Sequence, residues 1–197
     1  MAAIYLASSS PRRRQLLEQI GLPFTVIKTD VDESVAPDLS PSEQVQLLSR
    51  RKAQWGAESN PQLNGIIIGA DTIVVLDEQV LGKPNNSEQA YLMLQQLMGK
   101  THRVLTGITL LDWPSGHVLS DCEETLVQMR TASKQELWRY IATNEPLDKA
   151  GSYGAQGMAA IFVTSVKGCY YNVVGLPLAK LTLMLSKMDV DVSAYWR

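Results

Sequence analysis

The chain has 197 residues, 45% of them hydrophobic and 19% charged, which is enough apolar length for a buried core and too much for a chain dominated by disorder. Lys and Arg number 18 against 20 Asp and Glu, a formal charge of -2, which argues against a general nucleic-acid binder and makes any cationic cluster a local feature. Cys122 and Cys169 suit neither a disulfide framework nor a paired zinc site, and no apolar stretch approaches the roughly 20 residues that cross a bilayer. The short apolar run Ile4–Ala7 precedes the first arginines, the reverse of a secretory signal, so a soluble cytoplasmic protein without membrane or nucleic-acid partners is expected.

In chain order, residues 3–7 read as a strand, and Ser10-Pro11 opens a helix with Leu16, Leu17 and Ile20 at helical spacing. Gly21-Leu22-Pro23 ends it, and "FTVIKT" from Phe24 is a second strand. After the acidic turn "DVDES", Ser40-Pro41 repeats the helix start for a segment carrying Val45, Leu48 and Lys52 that fades near Asn60-Pro61. The run "GIIIGADTIVVL", residues 65–76, is a buried strand or two strands joined at Gly69; Asp77-Glu78 then turns it into a hairpin through "QVLGKP". Ser87 opens a helix with Leu92, Leu94 and Leu97, and "HRVLTGITLLD" and "HVLSDCEETLVQM" flank Pro114-Ser115-Gly116 as a second hairpin.

Ser133 caps a further helix through Ile141, followed by the loop "NEPLDKAGSYGAQGM", which has three glycines and no apolar periodicity. "AAIFVTSV" and "CYYNVV" read as strands, and a last helix starts near Leu176-Pro177. Helices alternate with hairpin-paired strands, so a mixed α/β sheet is expected rather than a purely parallel doubly wound one, in a single domain 1–197 that could form two lobes around a cleft.

Two features conflict with simple folding rules. Arg12, Arg13 and Arg14 crowd a helix N-terminus whose unpaired N–H groups already carry roughly half a positive charge. An anion held by the N–H groups after Ser8-Ser9-Ser10 and by the guanidinium forks would resolve that conflict; arginines pointing into water would cost up to about 1 kcal/mol. Asp71 lies inside a β-branched apolar run, where an unpaired carboxylate is costly, so it is either a turn residue after Gly69 or a carboxylate that binds a divalent cation or activates water. Glu33 with Asp32, Lys52 in "SRRKAQW" and Lys83 in "LGKP" are weaker candidates that surface solvation explains equally well. The long loop through Gly157 has the length of a functional connection, whereas His102 and His117 lack a nucleophile signature and read as structural.

"LASSSPRR", "GADTIV", "LGKP", "EPLDKAGSYGAQG" and "VVGLPL" occur in the order and spacing of the Maf family of nucleotide pyrophosphatases, a resemblance that covers nearly the whole chain. It implies a fold similar to inosine triphosphate pyrophosphatases, with a long mixed sheet, a central cleft and often a homodimer. It also implies hydrolysis of a nucleoside triphosphate to the monophosphate and pyrophosphate with Mg²⁺ or Mn²⁺. Carried over by position, the Ser-Pro-Arg-Arg segment falls on Ser8 to Arg13, and the family's acid, assigned as proton acceptor, falls on Asp71. A glutamate falls on Glu33, and lysines fall on Lys52 and Lys83. The dTTP/UTP type has an arginine, a threonine and a glutamine that match Arg12, Thr72 and Gln156, whereas a sister type acting on 7-methyl-GTP carries tryptophan at the Arg12 position.

Chemistry agrees with these roles. Arg13, Lys52, Lys83 and a metal would offset polyphosphate charge; Glu33 and Asp71 are hard donors for Mg²⁺, although Asp71 could instead take a proton from water. Gln156 offers a donor and an acceptor to the amide edge of uracil or thymine, with Arg12 and Thr72 completing the pocket. The resemblance thus points to a house-cleaning pyrophosphatase for dTTP, UTP and modified pyrimidine nucleotides. A non-catalytic nucleotide-binding regulator linked to cell division would keep the cations and tolerate loss of the carboxylates. A metal-dependent phosphatase of other small phosphates would leave Gln156 without a role.

Overall fold

A computed structural model describes residues 2–36 and 38–196. Its strands are β1 (Ile4–Ala7), β2 (Thr25–Ile27), β3 (Gly65–Leu76), β4 (Gln79–Leu81), β5 (Thr101–Trp113), β6 (Val118–Met129) and β7 (Val163–Lys167). They form one sheet in the order β2-β1-β3-β5-β6-β7, with β4 paired to β3. The helices are α1 (Pro11–Gln19), α2 (Pro41–Glu58), α3 (Ser87–Leu97), α4 (Lys134–Ile141), α5 (Tyr170–Val174) and α6 (Leu178–Ser186). The sheet is mixed, as expected: β1 runs parallel to β2 and β3, whereas β3–β4 and β6–β7 are antiparallel. Among the described residues no helix is long and apolar enough to cross a membrane.

The chain divides into two compact units, one comprising Met1–Asp71, Thr106–Glu123 and Gly175–Arg197, the other Thr72–Leu105 and Glu124–Val174. In the first, Ser10 accepts from the Arg13 amide at 3.5 Å with Pro11 in the first turn, and Leu16 and Leu17 are buried. Ser40 and Glu43 form a reciprocal capping box on α2, whose buried face is Val45, Leu48, Ser49, Lys52, Ala53, Gly56 and Ala57, the spacing of one helical stripe. Two glycines let that stripe lie close on the sheet. A Cβ at Gly69 of β3 would overlap the Ser49 carbonyl oxygen and stand 2.8 Å from the Ala53 nitrogen, and one at Gly107 of β5 would overlap the Val45 carbonyl.

In the second unit, Asn86 caps α3 by accepting from the Gln89 amide, and Ser133 with Glu136 boxes α4. Both helices bury apolar faces, Leu94 and Leu97 with Leu137 and Ile141, in a core shared with Val104, Met129 and Phe162. The β3–β4 turn takes positive φ at Asp77 (46°) and Glu78 (64°), the geometry of a tight two-residue hairpin. Gly65–Leu76 is one continuous strand, so the alternative of two strands joined at Gly69 is excluded.

Ser87 opens α3 as expected, capped by Asn86; Leu94 and Leu97 are buried and Leu92 is exposed. Two strand expectations need correction. Residues 159–162 of the expected strand "AAIFVTSV" belong to a 3₁₀ turn that starts at Met158, so β7 begins at Val163. "CYYNVV" contributes helix α5 instead of a strand. Its aromatic and β-branched composition favours strand, but Asn172 is buried and its carboxamide donates to the Val104 carbonyl (2.9 Å) and to Thr125 Oγ1 (3.0 Å). Those long-range bonds override propensity over a segment of five residues.

Candidate active site

The first unit gathers the charged candidates through α2 and β3. Gly69 and Asp71 are two positions apart on one strand, so their side-chain directions share the face on which α2 lies. Lys52, on the buried stripe of α2, therefore meets Asp71: Nζ stands 2.6 Å from Asp71 Oδ1 and 2.8 Å from Glu33 Oε1. Lys52 and Asp71 are 7% and 8% exposed, while the Glu33 side chain is about half exposed, so a buried ion pair opens to solvent on the Glu33 side. A charge pair this deep holds because each charge has a partner; removing one partner alone typically costs about 3–5 kcal/mol.

Glu33 lies in an extended loop with no regular structure, and the sequence does not reveal what holds it there. Arg51, the residue before Lys52, donates through Nη1 to the carbonyls of Asp32 (3.2 Å) and Ser34 (2.5 Å), on either side of Glu33. Asp32 accepts from the Ser34 amide and hydroxyl at 2.9 and 2.7 Å, which closes the turn and holds its own carboxyl below the ordinary range.

The arginine crowd separates into different roles. Arg13 donates through Nε to the Gly175 carbonyl (2.8 Å) and through Nη1 to Ser8 Oγ (3.2 Å), so it is anchored at the end of β1. Ser8, nearly buried, also accepts from the Ser10 amide at 3.2 Å. Burial lowers the Arg13 pKa from its ordinary value, Arg12 adds to the shift, and the Asp71 and Glu33 charges oppose it. Arg12 is half-buried in the same first turn, which contains no acidic residue. Arg14 instead forms a surface pair with Glu18 at 3.6 Å, both side chains more than half exposed. The solvated reading thus fits Arg14 and does not fit Arg13.

Two carboxylates on one lysine suit a hard divalent cation, which takes one or two carboxylates plus substrate phosphates. Among the described residues no three His, Cys, Asp or Glu side chains converge.

Thr72, Lys83 and Gln156 belong to the second unit. Thr72 is half-buried on β3, one residue beyond Asp71; Lys83 and Gln156 are exposed. The loop bearing Lys83 is tied to the glycine-rich segment because the Gly151 amide donates to the Gly82 carbonyl at 3.0 Å. That segment, expected to lack any element, contains 3₁₀ turns at Glu145–Asp148 and Ala150–Ser152. His102, read from the sequence as structural, is buried against it: Nε2 lies 2.8 Å from Tyr153 Oη, and Nδ1 has no hydrogen-bond partner among the described residues. Burial pushes the His102 pKa down to about 4, so the ring is neutral near neutral pH. Arg51, Tyr140 and Glu145 were not singled out in the sequence. The only sequence signal for Glu145 is a glutamate at the head of a loop whose later glycines, Gly154 and Gly157, stand one turn apart.

Comparison with known proteins follows the same lines. The family described as Maf-like protein matches residues 3–188. A dTTP/UTP pyrophosphatase of Desulforamulus reducens is 45% identical over 98% of this chain and 100% of its own length. A dTTP/UTP pyrophosphatase of Ruminiclostridium cellulolyticum is 49% identical over 98% and 99%. The solved structure of the Staphylococcus aureus Ham1 protein superimposes with a TM-score of 0.51 at 12% identity, covering 94% of this chain and 99% of that one, a likeness of fold.

Proposed function

Because this chain belongs to the Maf family, we propose that it hydrolyses dTTP and UTP, and modified pyrimidine nucleotides of the same shape, to the monophosphate and pyrophosphate. The observation that carries this reading is the Lys52 ammonium bonded to both Asp71 and Glu33, with Arg13 anchored locally on Ser8 and, from far along the chain, on Gly175.

A divalent cation, Mg²⁺ or Mn²⁺, would be held by Glu33 and Asp71, and when bound it adds positive charge against the phosphates. Lys52 and Arg13 supply fixed positive charge of their own, already oriented before substrate arrives, against the charge that develops on the departing pyrophosphate. Water adds to the α-phosphorus as the α–β anhydride bond breaks and pyrophosphate leaves; in the alternative in which Glu33 alone holds the cation, Asp71 takes the water proton as general base. Ser8 keeps Arg13 in place, and Lys83 contributes a further cation. Arg12, Thr72 and Gln156 would recognise the base, Gln156 through the paired donor and acceptor of its carboxamide. The same reading gives a free nucleotide as partner, a cytoplasmic location and a homodimer.

The test is incubation with a panel of the common nucleoside triphosphates and Mg²⁺, with separate assays for pyrophosphate and orthophosphate. Pyrophosphate with an equal amount of monophosphate, fastest from dTTP and UTP, is the expected result. Orthophosphate alone contradicts the bond assignment, and tight nucleotide binding without turnover favours the regulator.

A further inference from the structure

The exposed Gln156 lies between Tyr153 and Ala159, which are buried in the core, and the backbone between those two anchors is held by polar contacts. It is the third residue of a turn closed by the Gly157 amide on the Gly154 carbonyl (3.0 Å). Both glycines of that turn pack on one carboxylate. A Cβ at Gly157 would overlap Glu145 Oε1, and one at Gly154 would stand 3.1 Å from the same oxygen. The carboxylate is itself oriented: Oε1 accepts from Tyr140 Oη at 3.0 Å and Oε2 from the Met158 amide at 3.0 Å. Tyr140, buried on α4, also accepts from the Gly154 amide at 3.2 Å, so its hydroxyl links the turn to a regular helix. Lys149 Nζ donates to the Glu145 carbonyl at 2.6 Å and fixes the backbone from which the carboxylate extends.

We propose that Glu145 is the positioning residue for Gln156: by holding both ends of the Gly154–Gly157 turn on Tyr140 and α4, it sets the direction of the carboxamide and thereby the preference for pyrimidine bases. This rests on the reading of Gln156 as the base contact. The hydroxyl of Tyr140 remains a donor throughout the physiological range, since burial and then the Glu145 charge push its ionisation well above the ordinary value. Because the clamp consists of hydrogen bonds within the loop and one helix, its loss alters where Gln156 points without touching Lys52, Asp71 or Arg13.

Steady-state kinetics on the nucleotide panel would compare the wild type with Glu145→Ala, Glu145→Gln and Tyr140→Phe. Glu145→Ala is expected to raise KM for dTTP and UTP about tenfold, the scale of one lost base hydrogen bond. Its kcat should change by less than KM, and KM for purine triphosphates should stay within about twofold, so selectivity falls. Glu145→Gln keeps one acceptor and should recover part of the loss; Tyr140→Phe should lie in the same direction with a smaller change. Equal loss of kcat and kcat/KM for every nucleotide, or unchanged selectivity in all variants, overturns the proposal. Hydrogen exchange on the nucleotide-free protein gives an answer independent of activity. The Gly154 and Met158 amides should exchange at least about tenfold faster in Glu145→Ala, and unchanged exchange also overturns the proposal. Failure of the underlying reading looks different: the wild type then releases no pyrophosphate from either pyrimidine nucleotide, while exchange at those amides still decides whether Glu145 holds the turn.

Discussion

Lys52 and Glu145 each gather groups that are distant in sequence, by different physics. Around Lys52 the organising force is close backbone packing: glycines at 69 and 107 bring α2 onto the sheet, and the buried ammonium meets Asp71 there because the helix has nowhere else to lie. Around Glu145 a loop without apolar periodicity is held between its core anchors Tyr153 and Ala159 by a phenol, a carboxylate and two backbone amides. The first arrangement is rigid and charged, suited to stabilising charge on a polyphosphate; the second is a directional framework, suited to presenting one carboxamide. The difference teaches that chemistry and recognition in this chain are perturbed by different substitutions.

Asp71→Asn should strike the charged region hardest. The expected loss in kcat is on the order of 10³-fold, within the range of general-base or metal-ligand removal, while cooperative unfolding persists because Lys52 retains Glu33. Retained turnover would remove Asp71 from the chemistry. Gly69→Ala attacks the same region through packing alone. The added methyl displaces α2 at Ser49, so thermal or denaturant unfolding should show a loss of about 1–3 kcal/mol with weaker activity on every nucleotide. An unchanged midpoint would show that close approach of α2 is not what brings Lys52 to Asp71.

The loop region responds to acid through His102. His102 stays neutral down to about pH 4 in the folded chain but takes up its proton near pH 6.5 when unfolded. Because the unfolded state binds more protons over that window, stability falls as pH falls, by on the order of 2 kcal/mol between about 6.5 and 4.5, and the loss is complete below the folded value. Glu136, held down to about 2 by the Ser133 amide and Arg130, loses its contribution only below its ordinary value of 4.5, so it does not blur that window. Denaturant unfolding across this range should show the slope in the wild type and lose most of it in His102→Gln; an equal slope in both would refute the assignment. Smallest of all is Arg14→Ala. Its pair with Glu18 is exposed, so stability should change by less than about 0.5 kcal/mol and kcat not at all, in contrast to the anchored Arg13.

Much of the fold was legible in sequence because its signals are local. Ser10-Pro11, Ser40-Pro41 and Ser133 mark helix starts by hydrogen bonds within a few residues, and the Asp77-Glu78 turn follows from its two neighbouring strands. Asp71 stood out because an aspartate in a β-branched run demands a partner, and Lys52 provides it. What escaped depends on partners far along the chain. α5 reads as strand until Asn172 meets Val104 and Thr125, Arg51 is an ordinary helix cation until it takes the carbonyls on either side of Glu33, and Glu145 is unremarked until two glycines close on it. The motifs of the Maf family named the charged residues and Gln156, but the contacts that orient them are tertiary.

The most direct test is a crystal structure with a pyrimidine triphosphate analogue whose α–β bridge resists hydrolysis, grown with Mg²⁺. The account predicts phosphate oxygens against the Arg13 guanidinium and the Lys52 ammonium, with the cation on Glu33 and Asp71. Phosphates bound elsewhere, with Arg13 turned only toward Gly175 and Ser8 and the carboxylate pair still closed on Lys52 alone, would contradict it.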